Sequence, residues 1–458
     1  NILWGDGQVL IIMLLACGIW FTVKLGGVQL RHFGHMFSLL KGSNTSTKDG
    51  ISSFQALCTS LSARVGTGNL AGVAAAISLG GAGAIFWMWM IALLGMATGF
   101  AESVLGQLYK VRDENGEFRG GPAYYIKQGL NKTWLAVAFS LCLFFGYGFV
   151  FSAVQANTIT DALNNAYSFP TEYVGLAIIA LAALIVVGGL KSIARFAEFV
   201  VPFMGIGYVL VALAITFINI SELPAMLLDI VKSAFGLQEA GAGALGAAIK
   251  NGIQRGLYSN EAGSGSVPHA AASAVPNPNH PVSQGYIQML GVFLDTLVLC
   301  TSTAFIILLA GGSSSDQMEG IRLTQDAMSS HLGEGGTDFV AAAISLFAFT
   351  SVVANYAYGE SNLHMFKLDN KIGRAVYTIG YLGMIYWGAQ AALPQVWAMA
   401  DMALGLMTVI NIIAIVWMTP TIVSISKDYF KKKDSGANME YKAGDCEIQG
   451  KSEDGIWD

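Results

Sequence analysis

Two short runs in the chain set glycines among polar side chains: Arg64-Val65-Gly66-Thr67-Gly68-Asn69 and Tyr258-Ser259-Asn260-Glu261-Ala262-Gly263-Ser264-Gly265-Ser266. Each sits inside a longer apolar stretch. Hydrocarbon tolerates non-helical backbone only where protein or a watery cavity covers it, so an interruption at that depth is informative. A half-helix amino terminus presents free N–H groups and a positive dipole suited to a carboxylate, and unwound carbonyls suit Na⁺ or an ammonium. The competing reading, small residues that let helices pack closely, fits Gly80-Gly81, Gly188-Gly189 and Gly311-Gly312 at span ends. It fits the two interrupted runs poorly, because Asn69, Asn260 and Glu261 are costly in mid-membrane without a function.

Composition requires a membrane around these runs. Of 458 residues, 54% are hydrophobic and only 12% charged, against about 25% charged in soluble proteins. Mean hydropathy is +0.54, and the 54 glycines suit closely packed or broken helices. A net charge of −5 argues against a nucleic-acid partner. No GxxxxGK[ST] phosphate loop occurs, so ATP-driven transport within the chain is disfavoured. Five cysteines without paired spacing read as small buried hydrophobes, and the six scattered histidines lack a partner at zinc spacing. No nucleophile or acid–base pair emerges, which disfavours an enzyme. An ion channel would need a continuous polar pore, whereas the polar residues concentrate in the two interruptions.

Crossing about 30 Å of hydrocarbon takes roughly 17 to 25 apolar residues. Val9 to Val23, Ile51 to Leu79 (interrupted), Ala84 to Tyr109, Thr133 to Thr160, Tyr173 to Leu190 and Phe199 to Ser221 qualify. So do Gly241 to Ala272 (interrupted), Thr296 to Ser315, Phe339 to Gly359, Ala375 to Ala400 and Met402 to Ser426. The expectation is an all-α polytopic membrane protein with about eleven spans. The first run lacks a basic leader and a cleavage site, and reads as a retained helix. Of the 25 Lys and Arg, all but Arg64, Lys232, Lys250, Arg255 and Arg322 fall in joints of one parity or in the tail. That asymmetry places the amino terminus outside and the carboxyl terminus in the cytoplasm. Pro224 to Leu237 reads as an outer amphipathic helix, Gly311 to Thr337 as an outer loop with a short helix at Ile321 to His331, and the tail after Lys427 as disordered.

Each interrupted span opens a run of five spans. An odd number inverts the second run in the membrane, so the two half-helix gaps would meet near the midplane. The segments are then 1–49 (an extra helix and inner linker), 50–220 (first repeat), 221–240 (outer segment), 241–426 (second repeat) and 427–458 (tail).

Four motifs in order carry a resemblance over essentially the whole chain: Gly66-Thr67-Gly68-Asn69-Leu70-Ala71-Gly72-Val73-Ala74, Gly83-Ala84-Ile85-Phe86-Trp87-Met88-Trp89, Gly120-Gly121-Pro122-Ala123-Tyr124-Tyr125 and Ser259-Asn260-Glu261-Ala262-Gly263. The chain resembles the prokaryotic alanine or glycine:cation symporter family, within the amino acid–polyamine–organocation superfamily. The resemblance implies a cell-membrane transporter with a five-plus-five inverted core like the leucine transporter, sodium as coupling ion, alanine or glycine as substrate, and no organic cofactor. A proton as coupling ion, or another small amino acid such as serine, is the nearest alternative.

By the same resemblance, Thr67, Gly68 and Asn69 offer backbone N–H groups to the substrate carboxylate, and Gly263, Ser264 and Gly265 offer carbonyls to its ammonium. Asn69 Oδ1 completes either the substrate shell or a sodium shell. The superfamily's best-shared sodium site, laid on this chain, joins Ser62 and Val65 to Phe347, Thr350 and Ser351. Without that context, the adjacent Thr350 and Ser351 hydroxyls read as bonding back to their own preceding turn. Gln155 is either a substrate contact or a helix–helix bond, and Phe349 is a candidate to close the pocket around a small side chain. Arg64 and Glu261 adjoin the gaps and are gating candidates. Arg64 departs from the leucine-transporter pattern, which has a small residue there, so one of the usual sodium sites is in doubt. The charges Glu198, Asp295 and Asp401 read as salt bridges near span ends.

Overall fold

The computed structural model describes residues 3–5, 8–43, 50–113, 116–237, 242–311 and 320–457. Lys48, Gly241 and Gly312, and the expected boundaries at 49, 240 and 241, lie outside them.

Among the described residues the chain is helical throughout, with four two-residue strands. It opens with α1 (Val9–Lys24), α2 (Val28–Arg31) and α3 (Phe33–Leu40). The strand β1 (Ile51–Ser52) leads into α4 (Ser53–Arg64), a π-helical turn at Gly68–Gly72 and α5 (Val73–Gly80). Then come α6 (Gly83–Leu108), a hairpin of β2 (Val111–Arg112) and β3 (Phe118–Arg119), and α7 (Pro122–Gly129). Next, α8 (Thr133–Phe145) and α9 (Phe151–Tyr167) run on through the π turn Gly146–Val150, followed by α10 (Thr171–Val186), α11 (Gly189–Ile218) and the amphipathic α12 (Leu223–Ala234). The second half repeats the opening: α13 (Ala242–Asn260), a gap, α14 (Val267–Ala272) and β4 (Ala274–Val275). It continues with α15 (Pro281–Val292) and α16 (Thr301–Leu309), joined by the π turn Phe293–Cys300, and with α17 (Ile321–Leu332), α18 (Gly335–Ser361), α19 (Lys371–Gln390), α20 (Leu393–Trp417) and α21 (Thr419–Ser435).

Among the described residues, six helices are long and apolar enough to cross a membrane: Gly83–Leu108, Thr133–Tyr167, Gly189–Ile218, Pro281–Leu309, Gly335–Ser361 and Leu393–Trp417. Val9–Lys24 and Thr171–Val186 are shorter apolar helices of 16 residues each.

The broken helices α4–α5 and α13–α14 lie side by side in opposite directions. β1, at the start of α4, pairs with β4, at the end of α14. At the other end Asn251 Nδ2 of α13 donates to Leu79 O of α5 at 3.2 Å.

Three expectations require correction. The span expected from Thr296 starts at Pro281, because Gln284, Gln288 and Asp295 interrupt its apolarity yet are buried and partnered within the protein. Gln284 Nε2 donates to Ser53 Oγ at 2.7 Å, and Ser60 Oγ donates to Gln288 Oε1 at 2.6 Å. The last two spans divide near Ala391 rather than at Asp401, which lies inside α20 and pairs with Arg255 at 2.8 Å. The tail is ordered: α21 runs to Ser435, Tyr441 and Trp457 are buried, and Trp457 Nε1 donates to Leu108 O at 3.1 Å.

Candidate functional site

The first break follows from its surroundings. A reciprocal capping box of Ser52 and Gln55 starts α4, which ends at Arg64 where Val65 turns extended (φ −75°, ψ 95°). The glycines here serve close approach. A Cβ on Gly66 would lie 2.4 Å from Ser351 Oγ and 2.6 Å from Gln155 Oε1, and one on Gly68 would lie 3.1 Å from Ser259 Cα of the opposite broken helix. The second break uses glycine differently: Gly263 and Gly265 take φ of 93° and 86°, where a side chain is strained.

Between the breaks lies a cavity of about 10 Å³ whose wall includes Arg64, Tyr147, Gln155, Tyr258, Glu261 and Asn355. That is room for about one water rather than an amino acid, so the site is closed around itself. Among the described residues Arg64 makes one hydrogen bond, from Nη1 to Gln288 O at 3.4 Å, and its Nε and Nη2 have no partner. Glu261 Oε2 accepts from Ser266 Oγ at 2.6 Å. A guanidinium from one break and a carboxylate from the other therefore face one small polar space.

The first break is held open by side chains. Thr67 N–H and Thr67 Oγ1 both donate to Gln155 Oε1, at 2.9 and 2.8 Å. Asn69 Oδ1 accepts from Gly66 N–H at 2.9 Å, while its Nδ2 donates to Asp295 Oδ1 at 2.7 Å and Ser259 Oγ at 3.1 Å. Asn69 thus ties the first break to the second.

Beside it, oxygens converge between α4 and α18. Ser62 Oγ donates to Thr350 O at 2.8 Å, and Ser351 Oγ to Val65 O at 3.2 Å. Phe347 O accepts from Thr350 Oγ1 at 2.8 Å and from Ser351 Oγ at 3.2 Å. Three carbonyls and three hydroxyls, all on buried residues, form a hard-oxygen environment of the kind that suits Na⁺.

A model of the sodium:alanine symporter family matches residues 1–443. The chain belongs to that family. It is 46% identical over 437 residues to a Bacillus subtilis protein named as a probable sodium/glutamine symporter, covering 95% of this chain and 90% of that one. An amino-acid carrier protein of the same organism is 44% identical, with 95% and 92% covered. A sodium/alanine symporter of Methanococcus maripaludis is 37% identical, with 94% and 95% covered. A member of this family is a multi-pass membrane transporter and not an enzyme.

Within this family member, the fold gathers Thr67, Gly68, Asn69, Gln155, Arg64 and Glu261 around the breaks, and Ser62, Val65, Phe347, Thr350 and Ser351 beside them. It does not bring Gly263, Ser264 and Gly265 to the cavity. Gly263 N–H donates to Glu102 Oε1 at 3.1 Å and Gly263 O accepts from Asn411 Nδ2 at 3.0 Å. Ser264 Oγ donates to Glu261 O at 2.7 Å, and Gly265 packs against Phe139 and Pro122. Phe349 is also elsewhere, edge-on to Phe196 of α11 with ring centroids 5.9 Å apart. Phe347, Thr350 and Ser351 share one face of α18, and a residue two positions from Phe347 points away from it.

Two intramembrane carboxylates hold the breaks in a way that sequence reasoning did not assign. Asp295 sits in the π turn rather than in a span-end salt bridge, and its Oδ2 accepts from Ser259 Oγ and Thr296 Oγ1 at 2.7 Å each. Glu102 of α6 holds the second break through Gly263 N–H and accepts from Asn411 Nδ2 at 2.7 Å. A lone acidic residue in an apolar run was the available signal for both.

Proposed function

We propose that the chain couples inward sodium flow to uptake of a small amino acid, alanine or glycine, across the cell membrane of a prokaryote. The observation that carries this reading is that Arg64 and Glu261 line one cavity between the breaks. A zwitterion needs a cationic and an anionic partner a few ångströms apart in a water-poor site. Arg64 retains unpartnered N–H groups for the carboxylate, and Thr67, Gly68 and Asn69 add backbone N–H groups when Gln155 yields. Glu261, in place of the Gly263 to Gly265 carbonyls, takes the ammonium. Sodium lies on the Val65 and Phe347 carbonyls and the Thr350 and Ser351 hydroxyls, with Ser62 closing the shell. Family membership supports the coupling ion.

The antiparallel broken helices support a five-plus-five inverted repeat over 50–220 and 241–426, eleven spans in all, with α1 as the extra helix. The amino terminus lies outside and the carboxyl terminus inside, in keeping with the basic residues. Alternating access then comes from rocking α4–α6 and α13–α16 against the remaining helices. The relative named for glutamine favours a second reading in which a larger amide side chain enters an expanded cavity.

In proteoliposomes, an inward sodium gradient drives accumulation of labelled alanine, and unlabelled glycine, serine and glutamine compete according to fit. Uptake indifferent to the sodium gradient rejects sodium coupling, and competition by glutamine above alanine selects the second reading.

A further inference from the structure

The inner half of the first broken helix is buried apart from the half-buried Phe54 and Gln55, and a groove flanks it. This groove of about 390 Å³ runs between α3, α4, α11 and the α15–α16 helix, lined by Leu40, Leu57, Leu61, Pro202, Gly205 and Val298 among others. Every lining side chain is apolar save the Cys58 thiol. The groove opens along α11, the least covered of the six long apolar helices, with 28% of its apolar window buried. Ile206 and Leu210 on its rim are 62% and 60% exposed. In a membrane-spanning chain such a face is bathed by acyl chains, so the bilayer supplies the occupant.

Two basic residues adjoin the groove lining in sequence at one end, with the Glu198 carboxylate between Arg195 and Pro202 accepting from Gln55 Nε2 at 2.8 Å. Lys41 directly follows Leu40 and is exposed. Arg195, also exposed, precedes Pro202 by seven residues on α11, about two turns along the same face. Neither has an ion-pair partner among the described residues. Both lie toward the side that the basic-residue count places in the cytoplasm, where anionic headgroups attract Lys and Arg.

We propose that this groove is a binding site for an anionic phospholipid, its acyl chain against α4 and α11 and its phosphate between Lys41 and Arg195. The placement rests on the orientation argued above. Val65 gives the site its consequence: its side chain lines the groove while its carbonyl accepts from Ser351 Oγ in the candidate sodium shell. A bound chain braces α4 against leaving α18, so the lipid sets how readily the first break opens.

The test is photolabelling of the full-length protein in nanodiscs, using phosphatidylglycerol and phosphatidylcholine with a diazirine at mid-chain, read by peptide mapping. The label from phosphatidylglycerol is expected on residues 54–65 and 201–210. Gly205→Phe directs a ring at the groove from a position where an added Cβ meets nothing within 4 Å. It should lower that label about fivefold or more, and Lys41→Gln with Arg195→Gln should remove the preference for phosphatidylglycerol. Equal labelling by the two lipids, or labelling unchanged by Gly205→Phe in a protein of unaltered thermal midpoint, overturns the site. The readout needs no transport, so it stands or falls apart from the symport assignment.

Discussion

Thr67 gives both its backbone N–H and its hydroxyl to one acceptor, Gln155 Oε1, at 2.9 and 2.8 Å. An amide oxygen thus occupies the position where a substrate carboxylate would meet the first break. Buried donors must be satisfied, and Gln155 satisfies these in the closed site; under the proposed reading it would compete with the substrate for them.

Gln155→Glu places a permanent carboxylate on the Thr67 donors. Alanine binding should weaken about tenfold or more, equivalent to about 1.4 kcal/mol, while the substrate-free protein keeps or gains thermal stability. Titration with alanine at saturating sodium checks this. Undiminished affinity would mean that the carboxylate binds elsewhere.

Ser351→Ala removes the hydroxyl shared by the Val65 and Phe347 carbonyls. The sodium concentration for half-maximal alanine binding should rise about tenfold, with the alanine affinity at saturating sodium little changed. Ser345 serves as control, since its hydroxyl bonds to Ala341 O on the same helix at 2.7 Å. Ser345→Ala should leave the sodium dependence alone, and equal effects of the two changes would remove Ser351 from the ion shell.

What was legible in the chain and what was not divides along physical lines. The breaks at Gly66 and Gly263 were legible because polar residues beside paired glycines contradict an apolar span. Pro281 to Asp295 was not, because a hydropathy window cannot tell a glutamine that faces Ser53 or Ser60 from one that faces lipid. Asp401 misled for the same reason, since a charge paired with Arg255 inside a helix resembles a loop. Phe349 was misplaced by adjacency in sequence, when helical spacing from Phe347 already set it on another face. The docking of Trp457 depends on Leu108, hundreds of residues away, which local composition cannot register.

Asp295 is surrounded by donors from three segments, Asn69, Ser259 and Thr296, and has no ion-pair partner among the described residues. Asp295→Ala removes the shared acceptor of three buried donors: Thr296 Oγ1 loses its partner, at about 1–3 kcal/mol, while Asn69 Nδ2 keeps Ser259 Oγ and the Asp295 carbonyl and Ser259 Oγ keeps Cys300 Sγ, so the folded yield should fall. Asp295→Asn keeps an amide oxygen and the side-chain volume, so it should fold. If the negative charge matters for cation binding, its sodium dependence shifts while its thermal midpoint stays within a few degrees. A stable, fully active Asp295→Ala would show that the cluster neither holds the breaks together nor supports binding.

His280 joins the ordered tail to the entry of α15, and its protonation should loosen that junction. Val282 N–H donates to His280 Nδ1 at 3.1 Å, so Nδ1 must carry no proton, and the neutral ring places its proton on Nε2, 3.2 Å from Asp428 Oδ2. A second proton would fall on Nδ1 and break the cap. Burial holds the imidazole down at about 4, against a partly offsetting pull from Asp428. Because the folded value lies below the unfolded one, about 6.5, the unfolded state binds more protons in this window. The stabilisation is complete above about pH 6.5 and is lost progressively as the pH falls toward 4. Thermal unfolding in detergent between pH 8 and 4 should show that slope, with earlier proteolysis of the tail around Tyr441, whose N–H donates to Asn279 O at 2.9 Å. His280→Asn retains an oxygen able to cap Val282 but cannot titrate, so its slope over the same window should be shallower. An unchanged slope would assign the acid sensitivity to other groups, and the junction would then depend on Trp457 and Tyr441 packing alone.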